Sequence, residues 1–471
     1  MKRLLRLVAV CAVCCLLATA GRAADPPNLI WIMADDLGYG DLGCYGQRVI
    51  QTPHLDRMAR EGLRFTQFYA GATVCAPSRS VLMTGQHHGH TRVRGNAGQA
   101  NPQAQALRPD DVTVAALLKS AGYRTALIGK WGLGDIGPAE TGLPRKQGFD
   151  YFYGYLNQHH AHNHFPTFLW RNEERVALPN RGELVSQSGA GWATEAVAYA
   201  DDLFAEESLR FVKENKDRPF FLYWCMVIPH ANNERTRALQ DGAHVPDYGA
   251  YADKDWPNPD KGQAAMISRL DGYVGQMLAQ LKTLGIDRKT LVIFTSDNGP
   301  QNESNHNLSR FQPAGPLRGI KRSLTDGGIR VPFIAWWPGT VPEGAESPHV
   351  GYFGDWMATA AELSGAKLPP DRDSLSFVPA LRGNLADQPT HEFLYWEFHE
   401  RGFSQAALYQ GRWKGIRERR LDAPLVLYDL ATDIGETTDV AARHPEIATK
   451  IDAYLKTARS DSPDWPARSA P

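Results

Sequence analysis

Short, nearly continuous apolar runs alternate along the chain with longer segments in which apolar residues recur every three or four positions. The short runs are typical of strands that are covered on both faces, and they lie at residues 28–33, 125–128, 220–227 and 291–295. The longer segments predict helices at residues 113–120, 193–214 and 264–284. This alternation predicts an α/β sandwich with a mainly parallel central sheet.

The pattern changes after residue 370. Apolar segments at residues 393–396, 406–416 and 425–428 are short and separated by turns, and a helical pattern covers residues 445–457. They predict a small C-terminal α+β domain with an antiparallel sheet. We therefore expect a large domain over residues 25–370 and a small one over residues 371–471, with a boundary near Pro369 and Pro370.

The N-terminus has the order of a secretory signal peptide. Lys2, Arg3 and Arg6 precede an apolar run at residues 7–20, and small residues follow up to Ala24. The apolar run is shorter than the ~20 residues that a membrane-spanning helix needs. We expect cleavage near Ala24, which makes residues 1–24 the signal peptide of a secreted or periplasmic protein without a membrane span.

Composition excludes some classes of function. The 471 residues include 51 Lys and Arg against 52 Asp and Glu, so the chain has no basic field that would bind nucleic acid. After the expected cleavage only Cys44, Cys75 and Cys225 remain. Three cysteines cannot build a disulfide framework, and one is left over whichever pair forms. The sequence leaves open whether Cys44 pairs with Cys225.

Polar residues follow four of the predicted strands. In chain order they are Asp35 and Asp36, then Lys130, then His230, then Asp297 and Asn298. The carboxyl ends of parallel strands share one edge of a sheet, where ligands bind in open α/β folds. Three carboxylates and an amide at this edge would repel one another unless a cation lay among them, and oxygen ligands favour Ca²⁺ or Mg²⁺ over zinc. A single Asp-Asp pair could merely cap a turn, but that alternative does not explain polar residues at four strand ends.

One segment resembles a known family. Residues 75–85 begin Cys-Ala-Pro-Ser-Arg and end Thr-Gly, and they match the sulfatase signature C-x-P-S-R-x-x-x-x-T-G at every fixed position. Further segments resemble motifs of that family in the same order, at residues 34–41, 129–131, 295–299, 317–332 and 427–436. The chain therefore resembles the formylglycine-dependent, arylsulfatase-like members of the alkaline phosphatase superfamily over nearly its whole mature length.

This resemblance implies an alkaline-phosphatase-like fold and the hydrolysis of a sulfate ester. It implies that a separate maturation enzyme oxidises Cys75 to formylglycine, whose hydrated aldehyde attacks sulfur. It also implies one Ca²⁺ site, formed by the modified Cys75 together with Asp35, Asp36, Asp297 and Asn298.

Further catalytic roles are implied for four residues. By resemblance, Arg79 steadies the hydrated aldehyde, Lys130 and Lys321 hold the sulfate, and His230 assists the leaving oxygen. Physical chemistry agrees with these roles, because an enzyme acting on a sulfate monoester must position it and neutralise developing charge. An aldehyde hydrate also suits the reaction, since its second hydroxyl can expel sulfate without attack of water on sulfur.

Gly132 departs from the family pattern. Sulfatases usually read G-K-W-H-L-G where residues 129–134 read G-K-W-G-L-G, and the missing imidazole would ordinarily contact the aldehyde hydrate. Either another group replaces it, or the protein binds sulfated ligands without turnover. We hypothesise that His160 or His162, in a histidine-rich loop at residues 157–164, reaches the space beside Gly132 to bind substrate or act as a base. The alternative for such a loop is a solvated segment or an adventitious zinc site.

Secretion and a high aromatic content favour a sulfated saccharide as substrate, with exo action on a galactose-type sugar. Trp170, close to the histidine-rich loop, is a candidate ring for stacking on a sugar face. Two other functions stay open on sequence alone. One is a phosphodiesterase or phosphonate hydrolase of the same superfamily, and the other is a non-catalytic protein that binds sulfated glycans.

Overall fold

The computed structural model describes residues 26–97, 101–400 and 402–468. The predicted signal peptide at residues 1–24 lies outside these described residues. Among the described residues, no helix combines the length and the apolar character that crossing a membrane requires.

The strands of the described residues form three sheets. In chain order they are β1 (Asn28–Ala34), β2 (Leu63–Tyr69), β3 (Arg124–Lys130), β4 (Tyr151–Tyr155), β5 (Phe168–Arg171), β6 (Glu174–Ala177), β7 (Arg181–Leu184), β8 (Gly191–Glu195), β9 (Phe220–Cys225), β10 (Thr290–Ser296), β11 (Arg330–Trp336), β12 (Ala345–Tyr352), β13 (Phe393–Phe398), β14 (Ser404–Tyr409), β15 (Trp413–Arg417) and β16 (Val426–Asp429). The ten-stranded central sheet has the order β12-β2-β11-β10-β1-β9-β3-β4-β5-β6, and β7 pairs with β8. Five neighbouring strands of the ten-stranded sheet run parallel to one another, in the order β10, β1, β9, β3 and β4. This confirms the predicted mainly parallel sheet.

Helices lie between these strands. In chain order they are α1 (Pro53–Arg60), α2 (Cys75–Thr84), α3 (Val114–Ser120), α4 (Gln158–Ala161), α5 (Ala200–Asn215), α6 (Asn233–Leu239), α7 (Asn258–Thr283), α8 (Leu308–Phe311), α9 (Asp326–Ile329), α10 (Asp355–Ser364), α11 (Val378–Leu381) and α12 (Pro445–Leu455). The helix predicted at residues 193–214 starts only at Ala200, because Ala193 and its neighbours pair with β7 as strand β8. Apolar spacing alone did not separate that strand from the helix that follows it.

The alternating side chains of β1 explain why its end is rigid. Leu29, Trp31 and Met33 belong to the apolar layer on one face of the sheet, while Ile30 and Ile32 belong to the opposite layer. All seven residues of β1 are buried. A strand packed from both sides cannot shift without breaking two layers, so the polar residues that follow it have fixed positions.

The small antiparallel sheet has the order β13-β14-β15-β16 and confirms the expected C-terminal α+β unit. The predicted segment at residues 406–416 is in fact a hairpin of β14 and β15. Helix α12 packs on this sheet through Ile451 and Leu455. The domain boundary near residues 369–370 stays a prediction.

A buried charge network joins this sheet to the large one. Lys414 on β15 lies 2.6 Å from Asp326 Oδ1 and 3.3 Å from Glu436 Oε1, and all three side chains are fully buried. Arg330 and the Tyr69 hydroxyl donate to Asp326 Oδ2 at 3.3 and 3.1 Å. Lys414 therefore compensates two carboxylates that would otherwise be buried without sufficient opposing charge.

Replacing Lys414 with Met should destabilise the protein by about 3–5 kcal/mol, because it leaves buried carboxylates uncompensated. The measurement is the denaturant midpoint of unfolding. Lys450→Met, which removes an exposed lysine from α12, is the matched control and should leave the midpoint nearly unchanged. Equal effects of the two substitutions would contradict the assigned role of Lys414.

Candidate active site

The parallel strands bring their polar ends to one edge of the sheet. Ala34 at the end of β1 pairs with Ser296 at the end of β10, so Asp35 and Asp297 leave the sheet at the same level. The Asp36 amide donates to Asp297 Oδ1 at 3.2 Å, and Asp36 has a left-handed backbone with φ of 66°. The strand ends and the turn after β1 therefore place three carboxylates within one small volume.

Cys75 is the first residue of α2 and is 2% exposed. Its thiol donates to Asp35 Oδ1 at 3.4 Å. Burial raises the pKa of this thiol well above its usual value, and the Asp35 carboxylate raises it further. Cys44, Cys75 and Cys225 are all free thiols, so the pairing left open by the sequence is absent among the described cysteines.

Arg79 lies one turn further along α2 and is fully buried. Its Nη2 and Nε atoms donate to Asp297 Oδ2 at 2.8 and 3.2 Å. Its Nη1 donates to the backbone carbonyl of Lys130 at 2.7 Å. This guanidinium thus ties the ends of β3 and β10 to the helix that carries Cys75, and Asp297 compensates its charge.

Two ammonium groups face the carboxylates that follow β1. Lys130 Nζ lies 2.5 Å from Asp35 Oδ2, and Lys321 Nζ lies 2.8 Å from Asp36 Oδ2. Burial alone would raise the pKa of Asp35, but Lys130 and other nearby cations hold it well below its usual value. Burial raises the pKa of Asp36, and it raises that of Asp297 to about 7. The nearby lysine and arginine side chains therefore do not fully stabilise the ionised forms of Asp36 and Asp297.

The chemistry of the oxygen atoms suits a hard divalent cation. One ligand atom from each of Asp35, Asp36, Cys75 and His230 lies within 4.8 Å of the others. Asn298 Nδ2 donates to Asp36 Oδ1 at 2.7 Å, whereas Asn298 Oδ1 is buried without a hydrogen-bond partner. A buried acceptor beside three carboxylates is what an oxygen-liganded cation requires.

His230 is better placed for proton transfer than for metal binding. Its Nδ1 lies 2.7 Å from the Ala231 carbonyl and therefore carries the proton. Its Nε2 accepts from Lys321 Nζ at 3.2 Å. Burial and the Lys321 charge hold the pKa of His230 well below its usual value, so its Nε2 is a neutral acceptor.

The two candidate histidines of the loop have opposite surroundings. His162 stacks on His230 with ring centroids 5.0 Å apart, and its Nδ1 lies 3.0 Å from Glu234 Oε2. His160 is instead fully buried against the rings of Tyr155 and Phe168. Burial lowers the pKa of His160 to about 3. The hypothesis named either histidine, and of these two only His162 lies beside His230, while the space beside Gly132 is filled by the Gln158 side chain.

Other residues at the site were not expected from the sequence. Glu303 accepts from Lys321 Nζ at 3.0 Å, and Glu234 holds His162. Neither residue follows a predicted strand, so the pattern of apolar residues did not predict that either would lie at the site. Trp170 is buried beneath the guanidinium of Arg175, 5.1 Å from its ring centroid, so it is not an open platform for a sugar.

Known proteins are similar to this chain in sequence and in fold. The family model described as Sulfatase matches residues 27–366. N-acetylgalactosamine-6-O-sulfatase of Bacteroides thetaiotaomicron is 30% identical over 93% of this chain and 94% of its own. Steryl-sulfatase of Mus musculus is 31% identical over 96% of this chain and 85% of its own. The crystal structure of Ps i-CgsB in complex with k-i-k-neocarrahexaose gives a TM-score of 0.77 at 26% identity, covering 94% of this chain and 95% of that one.

A divalent cation should stabilise the folded protein through these oxygens. At a concentration 100 times its dissociation constant, Ca²⁺ should add about 2.7 kcal/mol to the free energy of unfolding. The measurement is the melting temperature with Ca²⁺, with Mg²⁺ and with a chelator.

Asn298→Leu removes the unpartnered oxygen and should abolish most of the Ca²⁺-dependent shift. Asn302→Leu, at an exposed position four residues further along, is the matched control and should keep the shift. A full shift in Asn298→Leu would show that Asn298 is not a ligand.

Proposed function

The chain belongs to the sulfatase family, and on that premise we propose that it is a secreted or periplasmic hydrolase that removes sulfate from a sulfated saccharide. Cys75, converted to formylglycine by a maturation enzyme, is the nucleophile of this proposal. The observation that carries it is the buried thiol of Cys75, which lies 3.4 Å from Asp35 Oδ1 at the strand ends.

Charge at the site supports an anionic substrate. Three buried cations, on Arg79, Lys130 and Lys321, face the three buried carboxylates of Asp35, Asp36 and Asp297. Asp35, Asp36, Asp297 and Asn298 would hold a Ca²⁺ ion, which would supply two further positive charges and could polarise a sulfate oxygen. The sulfate ester, a monoanion, then enters a dry site of opposite charge, where electrostatic attraction is stronger than in water.

We assign each side chain a separate task. The hydrated aldehyde derived from Cys75 supplies the attacking oxygen, and the N-terminus of the ten-residue helix α2 favours negative charge there. Lys130 and Lys321 hold sulfate oxygens, and Arg79 keeps residue 75 in place through Asp297. The Lys321 ammonium also donates to His230 Nε2, so a proton can pass from Lys321 through His230 Nε2 to the leaving oxygen, which leaves Lys321 as a neutral amine.

We assign to His162 the role of the histidine that Gly132 lacks, acting from beside His230. Glu234 accepts a hydrogen bond from His162 Nδ1, which leaves His162 Nε2 to act on the aldehyde hydrate or on the substrate. The stacked ring of His230 restricts the orientation of His162 further. This arrangement of a carboxylate behind an imidazole is typical of a positioned general base.

A saccharide substrate is favoured by the relatives. The Bacteroides thetaiotaomicron relative is by its name a sulfatase of N-acetylgalactosamine 6-sulfate, and Ps i-CgsB was crystallised with an oligosaccharide. The mouse relative is named for a steroid sulfate, so the substrate panel has to include a small non-sugar sulfate as well.

The first test measures inorganic sulfate release from sulfated saccharides and an aryl sulfate by protein whose residue 75 is formylglycine by peptide mass. Release is expected from at least one saccharide, and Cys75→Ala should show none. A phosphonate monoester and a phosphodiester complete the panel. Faster turnover of either phosphorus ester, or no release from any sulfate, would overturn the proposal and favour the phosphoryl-transfer or glycan-binding alternative.

The role of His162 is tested by His162→Phe, which keeps a ring against His230 but removes both nitrogens. We expect kcat to fall about 100-fold, as is typical for the loss of a general acid or base. Glu234→Gln should give a smaller loss in the same direction. His444→Phe, on the C-terminal unit, is the control. An unchanged kcat in His162→Phe would remove His162 from the mechanism.

A further inference from the structure

A small cavity lies beside the candidate active site. Its volume is about 70 Å³, and its lining includes Gly132, Asp135, Leu156, Gln158 and His159. Roughly 10–15 Å³ of such space holds one water molecule, so this cavity has room for several hydroxyl groups. Polar and apolar side chains both line it, and a sugar ring has hydroxyl edges and apolar C–H faces to match them.

Two features of the cavity lining relate it to the catalytic groups. Gly132 comes two residues after Lys130, whose ammonium contacts Asp35. On the other side, the ring of His159 lies 5.5 Å from that of His162, which stacks on His230. The cavity lining is therefore joined to the catalytic groups by two residues of chain on one side and by histidine ring contacts on the other.

Gln158 is the unusual residue of this cavity. Its amide nitrogen and oxygen are both buried, and neither has a hydrogen-bond partner. The nitrogen lies only 2.7 Å from where a Cβ of residue 132 would be, and Gly132 has φ of +85°. The glycine thus provides the space that the Gln158 amide occupies.

A neighbouring glutamine has no such unsatisfied groups. Gln105 also borders the cavity, but its Nε2 donates to the Gly132 carbonyl at 3.0 Å and its Oε1 accepts from the Ala97 amide at 2.9 Å. A buried amide group that has no hydrogen-bonding partner is unfavourable. A ligand that donates to the Gln158 amide oxygen and accepts from its nitrogen would therefore satisfy both groups.

The loop around Gln158 is held in place. The Asn157 side chain accepts from the His160 amide at 2.8 Å and donates to Asp135 Oδ2 at 2.8 Å. The buried ring of His160 fixes the next turn of the chain. A preorganised amide loses little conformational freedom when a ligand binds.

We propose that Gln158 is a specificity-determining residue that binds two neighbouring hydroxyl groups on the sugar that carries the scissile sulfate. One hydroxyl donates to the amide oxygen while the amide nitrogen donates to the next, so a vicinal diol satisfies both unpaired atoms. This inference rests on the proposed sulfatase function, because it assigns the sugar subsite of the same catalytic centre.

The test compares Gln158→Met with the unchanged enzyme on a sulfated saccharide and on an aryl sulfate that has no hydroxyl groups. Met keeps the side-chain length and removes the hydrogen-bonding atoms. We expect kcat/KM for the saccharide to fall at least ten times more than kcat/KM for the aryl sulfate, mainly through KM. Gln103→Met, at an exposed position of the neighbouring segment, is the control and should keep the ratio. An unchanged ratio in Gln158→Met would overturn the proposal.

A binding measurement separates this inference from the proposed reaction. In a Cys75→Ala background, calorimetry with the sulfated saccharide should show at least tenfold weaker binding when Gln158 is Met. If turnover fails but this loss is seen, the hydrolase function fails and the sugar subsite stands. Equal affinities of the two proteins would overturn the subsite, whatever the turnover.

Discussion

Compensation of buried negative charge is the constraint on which the rest of this site depends. Parallel strands deliver Asp35, Asp36 and Asp297 to a volume from which water is excluded, and such carboxylates are costly unless opposing charge lies close by. Arg79, Lys130 and Lys321 supply that charge from a helix, a strand end and a loop. Each cation therefore fixes the position of its own segment as well as the charge of the pocket.

The same principle extends to the small C-terminal sheet. Lys414 contributes the charge that Asp326 needs, and Asp326 begins α9, five residues after Lys321. On the outer side, Arg322 donates to Glu303 and, at 3.0 Å, to Glu400 next to β13. The C-terminal unit thus contacts the segment that follows Lys321 at two points, Arg322 and Asp326. The packing of that unit is therefore coupled to the position of Lys321 in the active site.

The sequence alone predicted the place in the active site of those residues that lie directly at the end of a strand. Asp35, Lys130 and Asp297 come directly at the end of apolar runs, so a parallel sheet had to bring them together. Glu303, Glu234 and Gln158 come from loops and short helices, where spacing carries no signal of direction. His160 and His162 illustrate the limit, because they are two residues apart on either side of a helical turn and face opposite environments. The start of α5 was missed for a related reason, since the apolar residues between Ala193 and Tyr199 continue the helical spacing although residues 191–195 form β8.

The burial of Cys75 fixes the order of events during synthesis. A thiol that is 2% exposed at the start of a packed helix is out of reach of any other protein once the chain has folded. If Cys75 is converted to formylglycine as proposed, the modifying enzyme has to act on the unfolded or nascent chain. The active fraction of a preparation would then be determined while the protein is being made, by the supply of the modifying enzyme relative to the rate of folding. Treating purified, folded protein with that enzyme afterwards would not raise this fraction.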